Sequence, residues 1–317
     1  MQHLKNTSIV IFVLIAQSVC SCATLDSSLI EFSLYNDDSS QMGNTPGNQV
    51  AITVHQIMPL QSSLTPNAQG GACWGDWFFQ FSNYNNYVRV YNLAEKTLKQ
   101  NYSINAKDKG FVKNCHCNSV CFGSSYFSEM DEFPLLYVST GYTKDGFSGV
   151  LVYRVIKIDD LFSFTLVQTI RLPVLNSSSW TEFIPAGEYC YVGYTGDFVY
   201  YKFPIPPVHG GDVILDGNKD AIEVFQFPPQ PEKIKYSSNQ GKLYHNGKII
   251  YPSGIPQIGE DSVFFFLDLK SKTYEHIFSF PELGLYKEPE SVFFWRNSLC
   301  VAFVDQIVSF EFTPSIF

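Results

Sequence analysis

The chain has 317 residues, 45% hydrophobic and 16% aromatic, with a formal net charge of -9. That is ample material for one large core or two smaller ones. Charged residues make up only 16% and no basic patch stands out, which argues against nucleic acid as a partner; an acidic surface also argues against adhesion to anionic lipid through the protein itself.

The first element is a leader. Lys5 supplies a positive start, IVIFVLIA from Ile9 to Ala16 is apolar, and QSVCSC follows. This has the form of a secretory signal, too short for a membrane span. Val19, Cys20 and Ser21 ahead of Cys22 resemble a bacterial lipobox. That implies a product lipidated at Cys22, on the outer membrane or cell surface, attached to the membrane only through the lipid anchor. Ordinary cleavage, giving a periplasmic or secreted protein, is the alternative. The expected division is 1–22 leader, 23–49 strand and linker, 50–317 a single domain.

SLIEFSLY reads as a strand, Asp37 to Gln49 as a polar linker, and QVAITVHQI as a cleanly alternating strand. Thereafter runs rich in Val, Ile, Phe and Tyr alternate with Gly, Asn, Asp and Pro clusters, and no convincing amphipathic helix interrupts them. The class is all-β. The runs come in blocks opening at Gln69, His116, Thr181, Gln240 and Glu290. Their spacing of about 55 residues suits four-stranded propeller blades. The first and last blocks share a shape: QGGACWGDWFFQF turns at Gly75-Asp76, and EPESVFFWRNSLCVAF turns at Arg296-Asn297. The last block supplies only three runs, so a strand from the N-terminal region is expected to complete it and remove two exposed edges. The spacing therefore predicts a five-bladed β-propeller closed by an N-terminal strand, with six blades as the alternative. A β-sandwich of similar size would not impose such a fixed order of turns.

Six cysteines lie beyond the leader: Cys73, Cys115, Cys117, Cys121, Cys190 and Cys300. An even number permits disulfides in an exported protein. Cys73, Cys190 and Cys300 sit in apolar runs, however, as small buried hydrophobes do. NCHCNSVC contains His116 but matches no usual zinc spacing, and no second pair follows. No metal or cofactor is expected. Read as an extended strand, this stretch puts Cys115, Cys117 and Ser119 on one face and His116, Asn118 and Val120 on the other.

In a propeller the innermost strand of each blade lines a central channel. The residues opening the blocks should therefore converge: Gln69, His116 with Asn118, Thr181 with Glu182, Asn239 with Gln240, and Glu288 with Glu290. Amides, carboxylates and an imidazole suit sugar hydroxyls, a metal ion or a polar small molecule. Gln69, Asn118 and Gln240 could equally satisfy backbone groups. His116 offers a charge that switches near neutral pH. Glu288 and Glu290, two apart, share a face if extended, and each would raise the other's pKa. That arrangement serves an acid/base pair, a cation, or mere solvation. Trp180 and Tyr84 are the rim aromatics best suited to stacking on a sugar. GDVILDGNKD, from Gly211 to Asp220, lacks a full calcium-ligand series. No nucleophile elbow occurs.

QGGACWGDWFFQ, HCNSVCFG, FPLLYVST and EPESVFFW together resemble a group of uncharacterised exported β-propeller proteins of gut Bacteroidetes. More distantly, the order of Gln-, His- and EPE-starts resembles five-bladed propellers of the teichoic-acid-biosynthesis-protein-C-like and phage receptor-binding type. The resemblance spans about Gln69 to Phe312. Ser291 stands where the pattern has glycine. It implies the five-bladed fold and no particular reaction. The expected function is an exported propeller that binds a glycan or other polar ligand at its channel. The alternatives are a glycoside hydrolase or lyase using channel carboxylates, and a scaffold that docks another envelope protein.

Overall fold

A computed structural model describes residues 28–32, 50–61, 68–82, 87–103, 116–140, 148–172, 181–194, 197–231, 234 and 238–317. These residues form five sheets. In chain order come β1 (Ser28–Phe32) and β2 (Val50–Pro59), then β3 (Ala68–Trp74), β4 (Trp77–Ser82), β5 (Tyr87–Asn92) and β6 (Thr97–Ser103). The last four pair antiparallel as the first blade. The second blade is β7 (Val120–Phe122), β8 (Leu136–Thr140), β9 (Ser148–Ile158) and β10 (Leu161–Leu172). The third begins with β11 (Thr181–Ala186), β12 (Tyr189–Tyr194) and β13 (Asp197–Pro204). Between β13 and the third blade's outer strand lies β14 (Val213–Ile214), which crosses back to pair in parallel with β10. That outer strand is β15 (Glu223–Gln226). The fourth blade is β16 (Leu243–His245), β17 (Lys248–Ser253), β18 (Val263–Asp268) and β19 (Thr273–Ser279). The fifth is β20 (Pro289–Trp295), β21 (Ser298–Phe303) and β22 (Gln306–Thr313), completed by β2, with β1 added outside it.

The fold is thus a five-bladed β-propeller. The closing strand does come from the N-terminal region: β2 pairs with β22 from Ala51↔Thr313 to Pro59↔Gln306, and β1 then pairs with β2. Without β2, β22 would present an unpaired row of backbone groups.

The core consists of five apolar slabs, each between consecutive blades. This explains why the sequence shows long apolar runs rather than strict alternation. Successive strand residues face opposite sides, and here both sides are covered. Phe79 enters the slab shared with the second blade, while its neighbour Phe78 enters the slab shared with the fifth. The inner hairpins of the first and fifth blades, alike in sequence, are direct neighbours. Phe78 stacks on Phe293 at 4.7 Å between ring centroids, and Trp295 Nε1 donates to Asp76 Oδ1 at 2.9 Å. Asn246-Gly247 and Arg296-Asn297 both have positive φ at each position, the geometry that matches the twist of a tight hairpin.

One sequence reading is corrected. His116 to Ser119 do not form a strand; His116 has φ of 47° and pairing starts only at Val120. The two-face assignment for that stretch therefore does not hold, and Cys115 lies outside the described residues. Cys73, Cys121, Cys190 and Cys300 carry free thiols; Cys190 and Cys300 are buried, as expected of small hydrophobes in apolar runs, and Cys73 is half-buried.

Candidate functional site

The innermost strands bring their opening residues to one end of the channel. Gln69, Asn118, Glu182, Gln240 and Glu290 are all buried, while His116 and Glu288 are half-buried. The strands touch one another there. Gly70 N–H donates to the Cys117 carbonyl at 2.9 Å, and Gly241 N–H to the Glu290 carbonyl at 3.1 Å. A Cβ at Gly70 would lie 2.5 Å from the Asn118 carbonyl oxygen; one at Gly241 would lie 3.0 Å from that of Glu290 and 3.1 Å from that of Asn118. Glycine is required at these two places by close approach alone, since neither has positive φ.

Two sectors differ in their polar chemistry. Between the third and fourth blades, Lys242 Nζ lies 2.7 Å from Glu182 Oε2, with both side chains essentially sealed from solvent. The same ammonium donates to the Tyr200 hydroxyl and sits over the Tyr251 ring at 4.2 Å. Burial pushes the Glu182 carboxyl up and Lys242 pulls it back down. Glu182 is therefore committed to an internal cation. Lys242 was not singled out in the sequence. Its signal was its place two residues after Gln240, at the start of an innermost strand.

At the mouth, Gln240 Nε2 donates to Glu288 Oε1 at 3.1 Å. Burial raises the Glu288 carboxyl, opposed by that hydrogen bond and assisted by the charge of Glu260. Glu260 itself accepts from Ser238 N–H at 2.8 Å and Ile255 N–H at 2.9 Å. Deeper in, Glu290 is pushed well above the usual carboxylate range, by burial first and then by Glu288. Its Oε2 has no hydrogen-bond partner. Burial lowers His116 to about 4, so its imidazole is neutral at physiological pH. Asn118 Nδ2 donates to the Asn239 carbonyl at 3.2 Å.

Trp180, Tyr84 and Cys22 lie outside the described residues. A cavity of about 650 Å³ opens elsewhere, lined by Tyr126, Phe127, Glu129, Asp131 and His209 among others. It adjoins the long β7–β8 connection, whose Ser124 hydroxyl donates to Gly187 O in a hairpin turn. No three His, Cys, Asp or Glu side chains converge as a metal cluster among the described residues. No described helix is long and apolar enough to cross a membrane.

No family model matches the sequence, and no curated protein matches it. Solved structures do resemble it. Glutaminyl cyclase from Myxococcus xanthus superposes with a TM-score of 0.51 at 11% identity, over 82% of this chain and 96% of that one. A Bacteroides thetaiotaomicron protein of unknown function gives 0.46 at 11% identity, over 84% and 77%. A luciferin-regenerating enzyme gives 0.44 at 7%, over 77% and 91%. At these identities the likeness is one of fold, and enzymes and proteins of unknown function share it.

Proposed function

We propose that this chain is a recognition propeller that takes a polar ligand, a glycan or the end of a glycan-like polymer, at the mouth of its channel. One observation carries the reading: the polar openings of all five innermost strands crowd into a single end of the ring. The glycine-mediated contact between strands argues that the ligand sits on the mouth rather than threading the channel. Half-buried Glu288 and His116 are the groups a ligand meets first, with Gln240 holding Glu288 in place. Gln69, Asn118 and Glu290 lie behind them. Trp180 is assigned to the rim on its sequence position. The leader and Cys22 support a reading of the protein as an exported envelope lipoprotein, in keeping with the resemblance to exported propellers.

A second reading has one specific support. Glu288 and Glu290 are both raised, and a buried carboxyl with a raised pKa is what a glycosidase general acid needs. One screen separates the two. Purified protein is titrated against plant, host and bacterial glycans, with binding and release of reducing ends read in parallel. Binding without release, weakened in Glu288→Gln, supports recognition. Release that disappears in Glu290→Gln overturns it in favour of the enzyme.

A further inference from the structure

We infer that the floor of this mouth is a binding site for a hard divalent cation of the calcium class, held by side-chain oxygens of Gln69, Asn118, Asn239 and Glu290.

The first argument is the set of atoms left over. Gln69 Oε1, Asn118 Oδ1, Asn239 Oδ1 and Glu290 Oε2 are all buried, and none has a hydrogen-bond partner. Burying one such group unpaired costs about 1–3 kcal/mol, and more for a charge. The four come from the inner openings of four different blades. Those openings are in contact: Gly70, next to Gln69, packs on Asn118; Asn118 Nδ2 bonds to Asn239; Gly241, two residues on, bonds to Glu290. Gln69, Asn118 and Glu290 are only 7%, 3% and 1% exposed.

The second argument is the sign of the charge. Two carboxylates, Glu288 and Glu290, meet here, and Glu260 adds to the field at Glu288. Among the described residues, Lys242, at the opening of the fourth blade's innermost strand, is engaged by Glu182 at 2.7 Å. An amide could be turned to present its nitrogen, but Asn118 is fixed in its sense by Nδ2 donating to the Asn239 carbonyl, which leaves Oδ1 for an ion.

The third argument selects the ion. Every donor is oxygen, three of them amide carbonyls. Calcium accepts carboxylates and Asn/Gln carbonyls in flexible geometry, whereas magnesium demands near-ideal octahedra and retains its waters. Zinc prefers nitrogen and sulfur, and no described His/Cys/Asp/Glu cluster supplies them. The sequence allowed a cation at Glu288 and Glu290 as one option among several and assigned no metal ligands; the amide oxygens are what the fold adds. The inference does not depend on what ligand the mouth takes, and its test contains no glycan.

Full-length protein is stripped with chelator and titrated with calcium chloride by calorimetry, with thermal denaturation in parallel. Uptake of about one calcium per chain is expected, with a melting temperature that rises with calcium concentration, as binding to the folded state alone requires. Glu290→Gln, nearly isosteric, is expected to weaken uptake by roughly tenfold or more, since calcium affinity follows ligand charge. Gln69→Ala is expected to weaken it less, and exposed Glu95→Gln not at all. Absence of uptake by the wild-type chain would overturn the inference and assign the four oxygens to buried water. So would uptake that neither Glu290→Gln nor Gln69→Ala alters.

Discussion

Glu182 and Glu290 are buried glutamates on innermost strands of the same ring, 0% and 1% exposed, and their surroundings are opposite. Glu182 meets an ammonium at 2.7 Å, with Tyr200 and Tyr251 enclosing the pair. Glu290 meets a second carboxylate instead of an ammonium; oxygens of both glutamates lack hydrogen-bond partners, so the ion pair is what separates them. A buried charge with its own counter-ion is a finished piece of structure. A buried charge without one is either protonated or awaits a cation. The comparison separates a sector that holds the ring together from a sector free to bind.

The bluntest way to break the comparison is to open the ring. Deleting residues 1–59 removes β2, and with it buried Val50, Ile52, Val54 and Met58. At about 1.5–3 kcal/mol per side chain, the loss is roughly 6–12 kcal/mol, comparable with the whole stability of a domain. Aggregation or loss of a cooperative melt is expected by scanning calorimetry; a truncated chain melting like the full one would show that β2 is dispensable.

The paired sector is tested next. Lys242→Met leaves Glu182 buried without its cation, at an expected cost of about 3–5 kcal/mol. The double change Glu182→Leu with Lys242→Met should recover most of that in urea denaturation, because a hydrophobic pair can replace a buried ion pair. If the double variant is no better than the single one, the cost lies in packing around Tyr200 and Tyr251.

Glu290 should behave the other way. Its folded pKa lies above its unfolded one. Between the two values the folded state holds the extra proton. The favourable contribution is therefore present in acid and is lost as pH rises through the folded value. Half-buried Glu288 acts in the same sense. In chelator-containing buffer, Glu290→Gln should match or exceed the wild-type melting temperature, with an advantage that grows as pH rises above the ordinary carboxylate range. A loss of stability like that of Lys242→Met would end the distinction between the two glutamates.

The smallest expected effect belongs to His116. Its folded pKa of about 4 lies below the ordinary 6.5, so the folded state sheds the proton first. Its contribution is present above the ordinary value and is lost as pH falls toward about 4. This opposes the carboxylates over an overlapping range, so the wild-type profile is a difference of the two. His116→Asn, which tolerates the φ of 47°, should flatten the acid limb of the melting profile.

Much of the ring was legible in the chain. Phe78-Phe79 and Val292-Phe293-Phe294 read as strands because both sheet faces are covered, and Gly75-Asp76 and Arg296-Asn297 marked the turns. The short second-blade opening was not legible. Cys117 to Val120 has strand-like composition, yet His116 adopts a left-handed backbone and only three residues pair. β14, inside GDVILDGNKD, was hidden because a two-residue parallel bridge to β10 leaves no periodicity.

The class, the five blocks, the need for an N-terminal closing strand and the polar identity of each inner opening are all written in the chain. These are local properties: apolar runs, turn residues and their order along the chain. Only the tertiary structure decided which polar openings find partners. Gln240 and Lys242 sit two apart in one short stretch, yet one bonds Glu288 in the next blade and the other pairs with Glu182 in the blade before. Partnership at the channel depends on distances between residues 48 to 121 apart in the chain, and the folded ring alone sets those distances.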